Sequence, residues 1–300
     1  MAVYDSILEC IGDTPTVRLN SISRNVYVKI EKGNPGGSIK DRAAVSMISD
    51  AEARGLLKPG GTVIEPTSGN TGIALCMAAA AKGYKTVIVI PDTMSEERLA
   101  YMRAYGAEVV LTPGGEGMQG AVEKAEELAK ERNGFVPGQF SNPYNTLAHR
   151  TGTGKEILRD LPDLDFVFAG IGTGGTVTGI AQCFKDAGAK AKVIGVEPEE
   201  SPLLTKGTAG PHGIQGIGAN FIPECLDRDL LHDIVTVSSE NAERMTVRLA
   251  REEGIFAGIS SGAAVHAAVE FSKHNKGRKL LAILPDGGEK YLSTGIYGRY

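Results

Sequence analysis
A lysine stands where the chain should disfavour a cation. In NPGGSIKDR, residues 34–42, Pro35 and the Gly36-Gly37 pair break the chain, Ser38 is of N-cap type and Asp41 completes an S-x-x-D capping pattern. Lys40 therefore falls in the first turn of a helix, at the positive end of the macrodipole, where a cation loses a few tenths to about 1 kcal/mol relative to an anion. An amine held there and partly desolvated is more often neutral, and the neutral amine is the nucleophile that condenses with aldehydes. The bland alternative is an exposed lysine snorkelling away from the helix end. The company the lysine keeps separates the two readings.

Three further glycine-punctuated loops can bind ligands. In GIGTGGTVTG (170–179) the successive N–H groups of Gly172, Thr173, Gly174, Gly175 and Thr176, with two threonine hydroxyls, form a donor-rich cup at a helix start, suited to a terminal phosphate. Gly170, Gly172 and Gly175 also spell G-x-G-x-x-G, with Glu197 ending the next strand, which is the dinucleotide fingerprint. In EPTSGNTG (65–72), Thr67, Ser68, Asn70 and Thr71 offer hydroxyl, amide and backbone donors that suit a small carboxylate, or else cap the helix. In GISSGAA (258–264), Ser260 or Ser261 can cap a helix or hold a ligand.

These loops need elements to position them. Short apolar runs alternate with helical stretches: strands at 62–65, 86–90, 108–112, 165–171, 192–198, 233–238 and 279–285, with helices between, one of them starting near Ser95. Such βαβ alternation implies parallel sheets covered on both faces, an α/β class. Turn-rich GQFSNPYN (138–145) separates two similar βα runs and sets a hinge near residue 146, while 201–225 is a long irregular stretch of the kind that carries function. The 300 residues are 42% hydrophobic and 23% charged, enough for a large core in one large or two smaller units. A net charge of −4, with both signs mixed, argues against nucleic acid. Four scattered cysteines without a C-x-x-C pair suggest neither a metal site nor a disulfide framework and fit a reducing cytoplasm. No apolar run approaches the roughly 18 residues of a membrane span.

A lysine nucleophile, a monophosphate cup and a carboxylate-binding loop together describe pyridoxal 5'-phosphate chemistry on an amino acid. An NAD-dependent dehydrogenase explains only one of the three. The sequence resembles the cysteine synthase (O-acetylserine sulfhydrylase) branch of the tryptophan-synthase-β-like, fold type II pyridoxal-phosphate enzymes. The resemblance runs through IGDTPTVRLN, NPGGSIKDR, EPTSGNTGIAL, MQGA, QFSNPYN, GTGGTVTGI, GIQGIGANFIP, GISSGAA and GEKYLST, in that order along nearly the whole chain.

The resemblance implies two doubly wound α/β domains with the coenzyme in the cleft: a smaller domain of residues 37–146 and a larger one of 1–36 plus 147–300. It implies Lys40 as the Schiff-base lysine, Asn70 on the coenzyme's 3'-oxygen, Gly172 to Thr176 on its phosphate and Ser260 facing its pyridine nitrogen. Thr67, Ser68, Gly69, Thr71, Gln139 and Gly216 are then expected to take the substrate. A neutral serine at the ring nitrogen makes a shallower electron sink than a carboxylate would, which favours elimination at Cβ over transamination. The expected activity is β-replacement, making L-cysteine and acetate from O-acetyl-L-serine and hydrogen sulfide. The GGS before Ile39 is also typical of cystathionine β-synthases, which join serine and homocysteine, and cysteine desulfhydration is the reverse chemistry. Family members are usually homodimers and often bind the C-terminal tail of serine acetyltransferase. The five histidines show no ligand spacing and read as surface or satisfied core residues.

Overall fold
The computed structural model describes residues 3–67, 69–92 and 96–300. Along the chain run β1 (Thr16–Arg18), β2 (Val26–Ile30), α1 (Lys40–Ala53), β3 (Thr62–Pro66), α2 (Asn70–Lys82), β4 (Lys85–Pro91), α3 (Glu96–Ala104), β5 (Glu108–Thr112) and α4 (Gly117–Arg132). There follow α5 (Pro143–Ala148), a π turn at His149–Thr153, α6 (Gly154–Asp160), β6 (Phe166–Gly170), α7 (Gly175–Asp186), β7 (Lys192–Pro198) and α8 (Leu203–Lys206). The last elements are β8 (Asp233–Val237), α9 (Ser239–Glu253), α10 (Ile259–His274), β9 (Leu280–Leu284) and α11 (Ile296–Arg299). Ser95, the expected start of the third helix, lies outside the described residues.

The strands form a six-stranded sheet, β1-β2-β9-β6-β7-β8, and a three-stranded sheet, β3-β4-β5. Every pairing is parallel except that of β1 with β2. Strand β9 shows why. All five residues of LLAIL are buried; Leu280, Ala282 and Leu284 pack into the cluster that contains Ala263, Ala264 and Ala268 of α10, while Leu281 and Ile283 pack on the opposite face with Val177 and Ile180 of α7. With side chains alternating across a strand, a continuous apolar run is what a sheet covered on both faces demands. In the smaller sheet Val63 packs against Ala44 and Ile48 of α1 and Ala74 of α2, and Ile64, Val87 and Val89 against Ala121, Ala125 and Leu128 of α4.

Two local outcomes differ from the sequence reading. The pairing of β1 and β2 was not among the expected strands; β2 is VYVKI, whose Lys29 would ordinarily mark a solvent face but is fully buried. Lys29 lies 2.8 Å from Glu156, which also meets Arg42 at 2.6 Å, and Arg42 in turn reaches Glu31 at 2.7 Å. The capping pattern at α1 is also shifted. Ser38 Oγ accepts from Lys40 N at 3.2 Å, but Asp41 Oδ2 accepts from Gly36 N at 2.6 Å rather than closing back on Ser38, whose backbone bridges to Asp286. Lys40 remains the first residue of the helix. Thr146, at the expected domain boundary, is buried in α5, a helix packed between α1 and α7.

Candidate active site
The C-terminal ends of three parallel strands carry the loops that matter. Strand β3 runs into residues 67–69 and α2, β6 into 171–174 and α7, and β9 into 285–291, the side on which open α/β sheets bind ligands. Lys40 is partly buried at the head of α1, and desolvation lowers its ammonium to about 8, with Cys225 pulling weakly the other way. Its neighbour Asp41 is fully buried, and burial raises that carboxyl to about 7 despite the hydrogen bond from Gly36.

At the start of α7, among the described residues, no protein acceptor takes the N–H groups of Gly172, Thr173, Gly174 or Thr176. The loop closes tightly around this cup. A Cβ on Gly172 would collide with the Gly216 carbonyl, and one on Gly175 with Asn145 Oδ1. Gly174 has φ +81°, and a Cβ there would lie 2.6 Å from Leu226 Cβ. Asn145 donates to Thr173 Oγ1 at 2.9 Å, and the ring of His149 meets Thr176 Oγ1 at 3.3 Å and Thr153 Oγ1 at 3.0 Å. Burial and the nearby cations of Arg42 and Lys40 hold His149 far below the ordinary imidazole range, so the ring is neutral and can share a proton with either hydroxyl. It is a satisfied core histidine, as expected, and it orients a residue of the cup.

The opposite loop is assembled around Thr67, Gly69, Thr71 and Gln139. Thr67 Oγ1 accepts from Gly69 N at 3.4 Å, and Thr71 Oγ1 donates to Gln139 Oε1 at 2.6 Å. Ser68 lies outside the described residues. Gln139 is held by a residue to which sequence reasoning gave no role: Glu65, buried at the end of β3, accepts from Gly138 N at 3.1 Å and Gln139 N at 3.3 Å. Burial without a cation raises Glu65 to about 7. Gln139 O then accepts from Asn145 Nδ2 at 2.7 Å, which joins the Thr67–Thr71 loop to the Gly172–Thr176 loop. Ser260 is 4% exposed in the first turn of α10, and the adjacent Ser261 hydroxyl is buried without a partner among the described residues. Gly216, at φ +92°, is exposed and brings its carbonyl against Gly172.

Asn70 opens α2 and is gripped on both sides. Its Nδ2 donates to Asp286 Oδ2 at 2.8 Å, and its Oδ1 accepts from Lys290 Nζ at 2.9 Å. The signal for these two partners was the motif GEKYLST and the residues just before it, which in sequence bore no visible relation to residue 70.

Glycines that only backbone donors can line, a desolvated lysine and a hydroxyl-and-amide loop are a donor set that suits an aldehyde-bearing monophosphate, and the residues fit pyridoxal phosphate. Glu197 does not act as the dinucleotide reading requires. Its carboxylate is 1% exposed and consumed by Leu204 N at 2.8 Å, Thr205 N at 3.0 Å and Thr205 Oγ1 at 2.6 Å, so it caps α8 and has no face left for a ribose. The class so defined is a pyridoxal-phosphate enzyme of fold type II.

Comparison with known proteins agrees. Residues 7–286 match the model of the family described as "Pyridoxal-phosphate dependent enzyme", and the chain belongs to that family. It is 48% identical over 300 residues to the cysteine synthase of Staphylococcus aureus, covering 98% of this chain and 97% of that one. It is likewise 48% identical over 303 residues to the O-ureido-L-serine synthase of Streptomyces lavendulae, covering 99% and 94%. The crystal structure of a cysteine synthase from Entamoeba histolytica superposes with a TM-score of 0.96 at 43% identity, covering 100% of this chain and 92% of that one.

Proposed function
We propose that the protein is a cysteine synthase, replacing the acetoxy group of O-acetyl-L-serine by hydrosulfide to release L-cysteine and acetate. The main support is a desolvated lysine at the head of α1, a loop of free backbone donors at the head of α7 and a hydroxyl-and-amide loop at the head of α2, in a chain that covers 97% of a cysteine synthase at 48% identity. Bound here, pyridoxal phosphate supplies the electron sink that weakens the Cα–H bond of an amino acid and then the Cβ–O bond of its leaving group.

The chain's own residues do the rest. Thr67, Ser68, Gly69, Thr71 and Gln139 hold the substrate carboxylate, with Gly216 at the edge of the site. Gly172 to Thr176 would hold the coenzyme phosphate, Asn70 would donate to its 3'-oxygen, and the uncharged Ser260 hydroxyl would serve its ring nitrogen. Lys40 would tether the coenzyme, and its Nζ, when free, would take the α-proton of the bound amino acid. The lowered ammonium of Lys40 suits this role, because near pH 8 about half of such an amine is in the basic form. Acetate departs with the Cβ–O electron pair, hydrosulfide forms the new Cβ–S bond, and Lys40 returns its proton to Cα. The proposal includes two domains, 37–146 and 1–36 plus 147–300, a homodimer, a cytoplasmic location and a carboxylate loop that can accept the terminal carboxylate of a serine acetyltransferase tail. Among the described residues, no helix is long and apolar enough to cross a membrane.

Product identification tests the reading. The holoenzyme is supplied separately with O-acetylserine, serine and O-phosphoserine, each with sulfide or with homocysteine. Cysteine formed fastest from O-acetylserine and sulfide is expected; cystathionine from serine and homocysteine as the dominant product would overturn it.

A further inference from the structure
The segment 285–291 touches three of the four site loops. Ile39 N donates to Pro285 O at 2.8 Å, Lys290 Nζ donates to Gly37 O at 3.1 Å, and Gly258 N donates to Asp286 O at 3.2 Å. Between them Asp286 and Lys290 hold Asn70 from opposite sides, and Tyr291 Oη braces Asp286 Oδ2 at 2.8 Å. Asp286 is 1% exposed and Lys290 3% exposed. Each is the other's largest charge influence, and the Asn70 carboxamide bridges them by one hydrogen bond to each.

We infer that Asp286 and Lys290 are positioning residues that fix the orientation of the Asn70 carboxamide and so present one of its N–H groups to the coenzyme. The inference rests on the reading of Asn70 as the donor to the 3'-oxygen. A carboxylate can only accept and an ammonium can only donate, so the amide oxygen must face Lys290 and the amide nitrogen Asp286. The nitrogen has two N–H groups. Asp286 takes one, and the other is left to a ligand oxygen. The flipped amide would set oxygen against carboxylate and nitrogen against ammonium, losing both bonds in a buried place. A positive charge on the oxygen side also polarises the amide and strengthens the remaining N–H as a donor. Asp41 and Glu289 add negative charge around Lys290, and Arg98 adds positive charge near both members.

The test uses holoenzyme, the dissociation constant of pyridoxal phosphate measured by equilibrium dialysis, and the pH midpoint of the bound coenzyme's visible band. In Lys290→Met the Asn70 oxygen loses a charge-assisted partner, and coenzyme dissociation strengthens about ten- to a hundredfold. The midpoint moves up by about one unit, because a less stabilised 3'-oxygen holds its proton more tightly. Lys290→Arg restores both. Asp286→Asn, whose amide can face either way, moves both readings in the same direction and serves if Lys290→Met does not fold. In an Asn70→Ala background Lys290→Met adds less than about threefold, since the partner through which it acts is gone. An equal effect of Lys290→Met in both backgrounds, or an unmoved midpoint in Lys290→Met and Asp286→Asn, overturns the inference while leaving the role of Asn70 standing. An Asn70→Ala enzyme with unchanged dissociation and midpoint overturns that role, and the inference with it.

Discussion

Replacing Glu65 by glutamine should change how stability depends on pH. The carboxyl sits wholly buried, with two backbone N–H donors and no cation contributing to its state. Its ordinary 4.5 is raised to about 7. Between those values the folded protein holds a proton that the unfolded chain has released, so unfolding free energy falls as pH rises. The contribution is complete below 4.5 and lost by the time pH has passed 7, a total of about 3 kcal/mol. Glu65→Gln removes this term. Because the amide offers one oxygen where the carboxylate offers two, it also strands one of the N–H groups of Gly138 and Gln139, at about 1–3 kcal/mol. The assay is urea unfolding at pH 5, 6, 7 and 8, followed by far-ultraviolet circular dichroism, since the chain has no tryptophan. The stability of the parent minus that of the variant should shrink by about 3 kcal/mol from acid to neutral pH. A difference that stays level or grows refutes the argument. Because Gln139 moves with its turn, the KM for the amino-acid donor should rise several-fold more than kcat falls.

Lys40→Ala should abolish turnover and leave residue 40 unmodified after borohydride reduction, read by mass; near-normal turnover would sink the assigned role. Gly174→Ala forces a side chain into a left-handed φ and against Leu226, so the dissociation constant of pyridoxal phosphate should rise at least about tenfold, measured by dialysis. Glu156→Gln leaves Lys29 and Arg42 facing a neutral amide in the interior, which should cost about 3–5 kcal/mol in urea unfolding. Glu156 is held down to about 2 by Arg42 and Lys29 against its burial, so its contribution in the parent is present above pH 4.5 and disappears as pH falls towards 2.

Periodicity and glycine punctuation made the parallel α/β plan legible, because buried parallel strands are near-continuous apolar runs bounded by turns. LLAIL and KTVIVIP could hardly be read otherwise. Strand β2 was not legible for the same reason turned around: a lysine in a short strand announces solvent, and only the three-dimensional arrival of Glu156 makes its burial tolerable. The donor-rich loops could be picked out because their donors are contiguous, as in GTGGT and TSGNT. Their supports could not. Glu65 acts on residues 138–139, and Asp286 and Lys290 act on residue 70, contacts that no spacing rule encodes.

The neighbours of β9 bear on how the molecule is made. Residues 26–30 pair with residues 280–284, so β2 waits for a strand made only after all the other strands named above. The three-stranded sheet, complete by residue 112, has no such delay and can assemble first. Until β9 arrives, β2 and the apolar β6 each present an unpaired edge to the gap that β9 fills, which makes the time before its synthesis the interval in which this polypeptide is most exposed to aggregation.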